Sequence, residues 1–184
     1  MSRSLNPTEL KRLNRAWRRS TQARLALLLD GVGQPFNVGS IFRSAATFGV
    51  ESMWLAKATS PLHPSARKTS MGTERQVEWA EVETPAAGIA AARAAGYRVV
   101  AIELAEGAVP LHAADLSGDV CLIVGGEERG CSATSLGAAD QVAYIPQVGK
   151  VGSLNVAVAA GIALAEARRR EWSTLPAAPE AESD

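Results

Sequence analysis

Between Arg24 and Arg170 the chain alternates short, almost unbroken apolar runs with longer stretches whose apolar residues recur at helical spacing. The run ARLALLLDG (23–31) is continuous rather than alternating, the pattern of a strand buried on both faces of a parallel sheet. It breaks at GVGQPFN, and VGSIFRSAATFG then predicts a helix stopped by Gly49. Further strands are predicted at ESMWLAK, VEWAEV, YRVVAIEL, DVCLIVG and QVAYIP. TSPLHPSARKTSMGTERQ reads as loop with one short helix, while Thr84 and Pro85 open an alanine-rich helix that closes at Gly96. SLNVAVAAGIALAEARRR predicts a long amphipathic helix with arginines in its last turn, where they complement the helix dipole. There are no internal repeats. The alternation predicts an α/β fold, a mostly parallel sheet sandwiched by helices.

A separate helix precedes this core. Asn6 is a good N-cap, Pro7 suits the first helical position and Glu9 can reach back to close a capping box. Leu10, Leu13 and Trp17 form a narrow apolar stripe that can dock on the body, with Lys11, Arg12, Arg15, Arg18 and Arg19 on the other side. Formal net charge is zero, yet the first 24 residues hold seven basic side chains against one acidic, a balance of +6. Such a basic head points to a polyanion partner and is equally compatible with a solvated helix face. The end, STLPAAPEAESD, is small, acidic and proline-containing, the composition of a disordered tail. The expected organisation is a basic helical extension over 1–23, one domain over 24–171 and an acidic tail over 172–184.

Composition removes several classes of function. A chain of 184 residues and 19.2 kDa fits a single domain with a real core. Its apolar stretches fall short of the ~20 residues that cross a bilayer. The charged N-terminus MSRSLNPTELKRLNRAWRR lacks the apolar segment of a secretory signal, so a cytoplasmic location is expected. Cys121 and Cys131 make no disulfide framework; they read as a buried small apolar residue and a loop thiol in a reducing compartment. With His63 and His112 distant from them, no metal-ligand spacing exists and no metal is expected.

Three loops are unusually rich in glycine and hydrogen-bonding side chains: GVGQPFNVGSIFR (31–43), GGEERG (125–130) and IPQVGKVGSLN (145–155). Each follows a predicted strand, at the end of a parallel sheet where ligands bind. Glycine lets the backbone approach a ligand closely and recognise it through main-chain groups. The ordinary explanations fail on particular residues. GGEERG has the spacing of a P-loop, but Cys131 stands where its lysine is required, so a triphosphate's charge goes unmatched. GVG at 31–33 is followed by Gln34, Pro35 and Phe36, so the third glycine of a dinucleotide fingerprint is missing. Neither histidine lies beside a nucleophile elbow.

Taken together, Asn37-Val38-Gly39-Ser40-Ile41-Phe42-Arg43-Ser44-Ala45, Val124-Gly125-Gly126-Glu127-Glu128-Arg129-Gly130 and Ile145-Pro146-Gln147-Val148-Gly149-Lys150-Val151-Gly152-Ser153-Leu154-Asn155-Val156 resemble, in order and spacing, the three motifs of the SpoU/TrmH family of RNA ribose 2′-O-methyltransferases within the SPOUT superfamily. The resemblance covers roughly Leu25 to Arg170. It implies a C-terminal segment threaded into a deep trefoil knot, which general chain topology would not suggest. It implies S-adenosyl-L-methionine as methyl donor, no metal, and a homodimer acting on RNA. Gly125, Ile145 and Leu154 match the family's donor contacts, with Gln147 and Ser153 beside them. Asn37, Arg43, Glu127, Ser153 and Asn155 match its invariant polar residues.

The resemblance makes Arg43 the catalytic group. A guanidinium with a pKa above ~12 is a poor base, so phosphate binding and stabilisation of the developing alkoxide suit it better. Glu127 is expected to orient Arg43 or Asn155; Asn37 and Ser153 are also natural caps for the helices that follow them. Gln147 stands where many members have Met, and Ala157 where Ser is common. The helix over 6–20 resembles the compact members that methylate tRNA, favouring tRNA, with a D-loop guanosine as one target, over rRNA. A non-catalytic RNA-binding factor retaining the fold is the competing reading.

Overall fold

The computed structural model describes residues 3–175. Seven parallel strands form one sheet in the order β3-β2-β1-β6-β4-β7-β5. They are β1 (Leu25–Asp30), β2 (Val50–Ala56), β3 (Glu78–Val82), β4 (Arg98–Ile102), β5 (Val109–Pro110), β6 (Val120–Gly125) and β7 (Gln141–Tyr144). The helices are α1 (Pro7–Ser20), α2 (Pro35–Thr47), α3 (Pro64–Ser70), α4 (Pro85–Ala94), α5 (Ala133–Ala138) and α6 (Val156–Trp172). Every residue of β1 is buried, as its unbroken apolar run predicts. Its alternate side chains feed two cores. Leu25, Leu27 and Leu29 pack with Ile41 and Phe42 of α2 and Leu164 of α6; Ala26 and Leu28 pack on the other face with Ile89 of α4 and Ile123 of β6.

The predicted α/β sandwich stands, with additions. The two-residue β5 and six-residue α5 were not anticipated, and 3₁₀ turns at Thr73–Arg75 and Leu111–Ala113 complete the connections. Helix α2 begins at Pro35, three residues before the predicted start, because proline's fixed φ and missing N–H suit the first helical position. It lies hard against α3: a Cβ at Gly39 would fall 2.1 Å from both the Ala66 carbonyl oxygen and Thr69 Oγ1.

Helix α1 has the predicted capping box, with Asn6 Oδ1 accepting from the N–H groups of Thr8 and Glu9 at 2.9 and 3.0 Å, and Glu9 accepting from the Asn6 N–H at 2.8 Å. The Glu9 carboxyl is held down at about 2, first by its bond from Arg3 and then by the Asn6 amide. The expected docking stripe does not form as such, since α1 buries no residue and Leu10 is exposed. Attachment runs instead through the end of the helix. The rings of Trp17 and Trp172 lie 4.9 Å apart, and Trp172 Nε1 donates to Thr21 Oγ1 at 3.0 Å. Trp172 is therefore the last residue of α6 rather than the start of a tail; residues 176–184, most of the predicted acidic segment, lie outside the described residues.

Of the arginines expected in the last turn of α6, Arg168 is buried, donating to the carbonyls of Ala23, Phe48 and Gly49 at 2.6, 2.8 and 3.1 Å and pairing with Glu171 at 3.0 Å. Glu171 in turn accepts from the Ala23 N–H at 2.9 Å and from that of Gln22. This satisfied buried charge ties the α1–β1 linker to the end of α6.

Candidate functional site

Strand register brings the glycine-rich loops together. Asp30 at the end of β1 lies opposite Gly125 of β6, and Ile102 of β4 lies opposite Val124 of β6 and Ala143 of β7. The segments after β1, β4, β6 and β7 thus leave from one edge of the sheet. The Gly126 N–H donates to the Asp30 carbonyl at 2.8 Å, and a Cβ on Gly126 would fall 2.2 Å from the Gly31 carbonyl oxygen. Only glycine permits that approach.

Two carboxylates fasten the loop after β6. Buried Asp30 accepts from the Ser132 N–H at 2.8 Å and from Ser135 Oγ at 2.6 Å, at the start of α5. Glu103 accepts from the Cys131 and Leu104 N–H groups at 2.8 and 3.0 Å. Neither acid was singled out from the sequence; the signal available was a lone carboxylate closing each apolar run, LLLD and VVAIE. Cys131 lies between them in the loop, as expected, and is buried there. Burial first, and the Glu103 and Asp30 charges second, push its thiol well up, so both cysteines are inert.

A cavity of about 350 Å³ opens at this edge. Gly125, Gly126 and Glu127 form one wall; Ile145, Gln147, Ser153, Leu154 and Asn155 form another; Ile102, Glu103 and Leu104 close it from β4. All five residues expected to contact the donor therefore share one cavity. Its surface mixes aliphatic side chains with backbone laid bare by glycine, suited to an apolar ring system bearing a few polar groups.

Beside the cavity runs a three-residue chain of hydrogen bonds joining all three motif loops. Asn37 Nδ2 donates to Glu127 Oε1, and Asn155 Nδ2 donates to Asn37 Oδ1 at 3.0 Å. Asn155 Oδ1 accepts from the N–H groups of Ala157 and Val158 at 2.9 and 3.3 Å, so Asn155 caps α6 and Ser153 does not. Asn37 is not a cap either. It sits inside the first turn of α2, whose N-cap is Gln34 without a side-chain bond. Asn37 is thus held by side chains 90 and 118 positions away.

Arg43 stands apart from this chain. It is exposed six residues along α2 from Asn37, a rise of about 9 Å. Its Nη1 donates to Met71 Sδ at 3.1 Å, and Glu127 bonds Asn37, not Arg43 or Asn155 as expected, reaching Asn155 only through Asn37. Arg43 lines a second cleft whose walls include Ser40, Ser44 and Phe48, and those three residues also line the hollow beside Asn37 and Asn155. The remaining predicted site residues, Lys11, Arg12, Arg15, Arg18 and Arg19, are exposed on α1. Among the described residues no group of three or more His, Cys, Asp or Glu could hold a metal, and no helix is long and apolar enough to cross a membrane.

Comparison with known proteins agrees with this arrangement. The profile of the SpoU rRNA Methylase family matches residues 24–165. The 23S rRNA (guanosine-2′-O-)-methyltransferase RlmB of Acinetobacter baylyi is 38% identical over 148 residues, covering 79% of this chain and 60% of its own length. The tRNA (guanosine(18)-2′-O)-methyltransferase of Escherichia coli is 31% identical over 183 residues, covering 95% of this chain and 79% of its own length. Among solved structures, the AdoMet-bound rRNA methyltransferase of Sinorhizobium meliloti superimposes with a TM-score of 0.76 at 34% identity, over 84% of this chain and 59% of that one. The TrmH/SpoU tRNA modifying enzyme of A. aeolicus does so at 0.74 and 27% identity, over 92% and 91%. This chain therefore spans about 60% of the length of the rRNA enzyme RlmB. With the family profile matched across the sheet and all three glycine-rich loops, the chain belongs to the SpoU rRNA Methylase family.

Proposed function

We propose that the protein transfers a methyl group from S-adenosyl-L-methionine to a ribose 2′-hydroxyl of RNA, with tRNA as substrate. The observation that carries this is the single cavity formed by the loops after β4, β6 and β7 and joined to the first motif through Asn155, Asn37 and Glu127. Its glycine-bared backbone and aliphatic walls suit the adenosine and methionine parts of the donor, held by Gly125, Ile145, Gln147, Ser153 and Leu154. The donor supplies an electrophilic methyl on a sulfonium.

This chain's residues do the rest. Transfer is an in-line displacement, so alignment of the ribose oxygen supplies much of the rate. Asn37 and Asn155, locked by Glu127 and by the cap of α6, present a fixed polar edge for the sugar. Arg43 binds the neighbouring phosphate and stabilises charge developing on the attacking oxygen, the proton leaving to water or phosphate.

Support for tRNA comes from the match to the E. coli tRNA enzyme, which extends over 95% of this chain. We further propose a cytoplasmic homodimer and a C-terminal trefoil knot. The dimer reading is supported by the outer side of α6, where Val158 and Ile162 are exposed beside a groove including Phe48, Pro146 and Trp172. Ribose-methylation mapping of total RNA with and without the gene, followed by reconstitution with purified protein, tests the activity. A single tRNA site lost on deletion and restored in vitro is expected; an rRNA site would redirect the substrate, and no site would end the reading.

The cations of α1 give a second expected result. Replacing Arg15, Arg18 and Arg19 together with alanine weakens RNA binding and flattens its salt dependence, leaving donor binding intact. Filter binding across a salt series checks this, and an unchanged slope removes α1 from the RNA interface.

A further inference from the structure

The cleft between α2 and α3 carries chemistry that the donor cavity and the asparagine chain do not use. Its volume is about 450 Å³. Ser40, Arg43, Ser44 and Thr47 line it from α2, and Lys68 and Thr69 from α3. The two helices meet this closely because position 39 has no side chain. Lys68 is exposed, and neither it nor Arg43 has a carboxylate partner among the described residues. The guanidinium spends one donor on the Met71 sulfur, a weak acceptor. The nearby acid, Glu74, is turned inward, accepting from Ser70 Oγ at 2.7 Å with Arg67 at 3.7 Å.

Two cations with unused donors, facing hydroxyls and no acid, make a site for an oxyanion. The cleft shares Ser40 and Ser44 with the hollow beside Asn37 and Asn155, so an anion here lies on a strand continuous with a sugar placed there. We propose that Lys68 is a second phosphate-binding residue, which together with Arg43 clamps an RNA backbone phosphate across the α2–α3 cleft. This rests on the reading of the protein as an RNA methyltransferase. The planar guanidinium supplies directional bonds to two phosphate oxygens, while the ammonium supplies a point charge from the opposite wall.

The test compares wild type, Lys68→Ala, Lys68→Arg and Lys68→Glu for binding of unmodified tRNA across a salt series, with donor binding followed by calorimetry. Lys68→Ala is expected to bind tRNA roughly five- to tenfold more weakly, the net strength of one solvent-exposed hydrogen bond. Its slope of log affinity against log salt should fall by ~0.7–0.9, the value of one phosphate contact. Lys68→Arg should restore both, Lys68→Glu should bind more weakly still, and donor affinity should stay constant throughout. Wild-type affinity and slope in Lys68→Ala would overturn the clamp while leaving the methyltransferase reading intact. A wild-type protein that binds no RNA would overturn both.

Discussion

Arg43→Ala should keep the fold and the affinity for the methyl donor while losing on the order of 10²–10³ in turnover, the range for removing one preorganised donor to a developing anion. The fold is indifferent because Arg43 is exposed; its buried neighbours Ile41 and Phe42 do the packing. Donor affinity is indifferent because Arg43 does not line the cavity of Gly125 and Leu154. Arg43→Lys should recover only part of the rate, since an ammonium cannot reproduce a bidentate guanidinium contact. Single-turnover methylation, donor calorimetry and a thermal melt on the same preparations separate the three quantities. Turnover within a few fold of wild type would show that Arg43 is not the catalytic group.

Gly125→Ala should produce the opposite profile, with structural and donor defects together. A Cβ there would fall 1.9 Å from the Gly130 carbonyl carbon and 2.1 Å from the Cys131 nitrogen, both backbone atoms that no rotamer change can move. The loop they belong to is closed by the Gly130 N–H bonding the Gly126 carbonyl at 2.8 Å and pinned by Glu103 to the Cys131 N–H. The substitution should cost about 1–3 kcal/mol, lower the melting temperature by several degrees, and weaken donor binding at least tenfold. Gly137→Ala is the matched control. Position 137 lies in α5 with open space around its Cβ, so alanine there should be neutral or stabilising by up to about 1 kcal/mol. Normal donor affinity in a well-folded Gly125→Ala protein would show that the donor does not use this wall.

Much of the architecture is legible in the chain because local signals agree with the global fold. LALLLD can hardly be anything other than a doubly buried strand, and Pro7 and Pro85 stand at the starts of their helices. The misses fall where local signals are short or where partners are distant. Two residues of β5 and six of α5 are too few to display a period. Asn155 rather than Ser153 caps α6, a choice between two good caps two positions apart that loop geometry decides. Arg168 reads as one of the last-turn arginines of α6 until the carbonyls of Ala23, Phe48 and Gly49 surround it.

The candidate site follows the same division. The motif spacing brings out the donor wall and the asparagines, but the bond from Asn37 to Glu127 spans 90 positions and depends on β1 lying beside β6. Lys68 gave no signal in sequence, since a lysine on a short loop-bound helix is ordinary; the absent side chain at Gly39 is what sets it opposite Arg43.

The buried Arg168–Glu171 pair has a mechanical meaning, because it joins the α1–β1 linker rigidly to α6. Asn155 caps the start of the 17-residue α6, and the linker that aims α1 is bolted to its last turns at Arg168 and Glu171. That rigid strut is about 25 Å long. It sets the distance between Asn155 and the linker that carries α1, and on the RNA-methyltransferase reading proposed above that distance is a built-in ruler between the ribose and the backbone held by the arginine-rich arm.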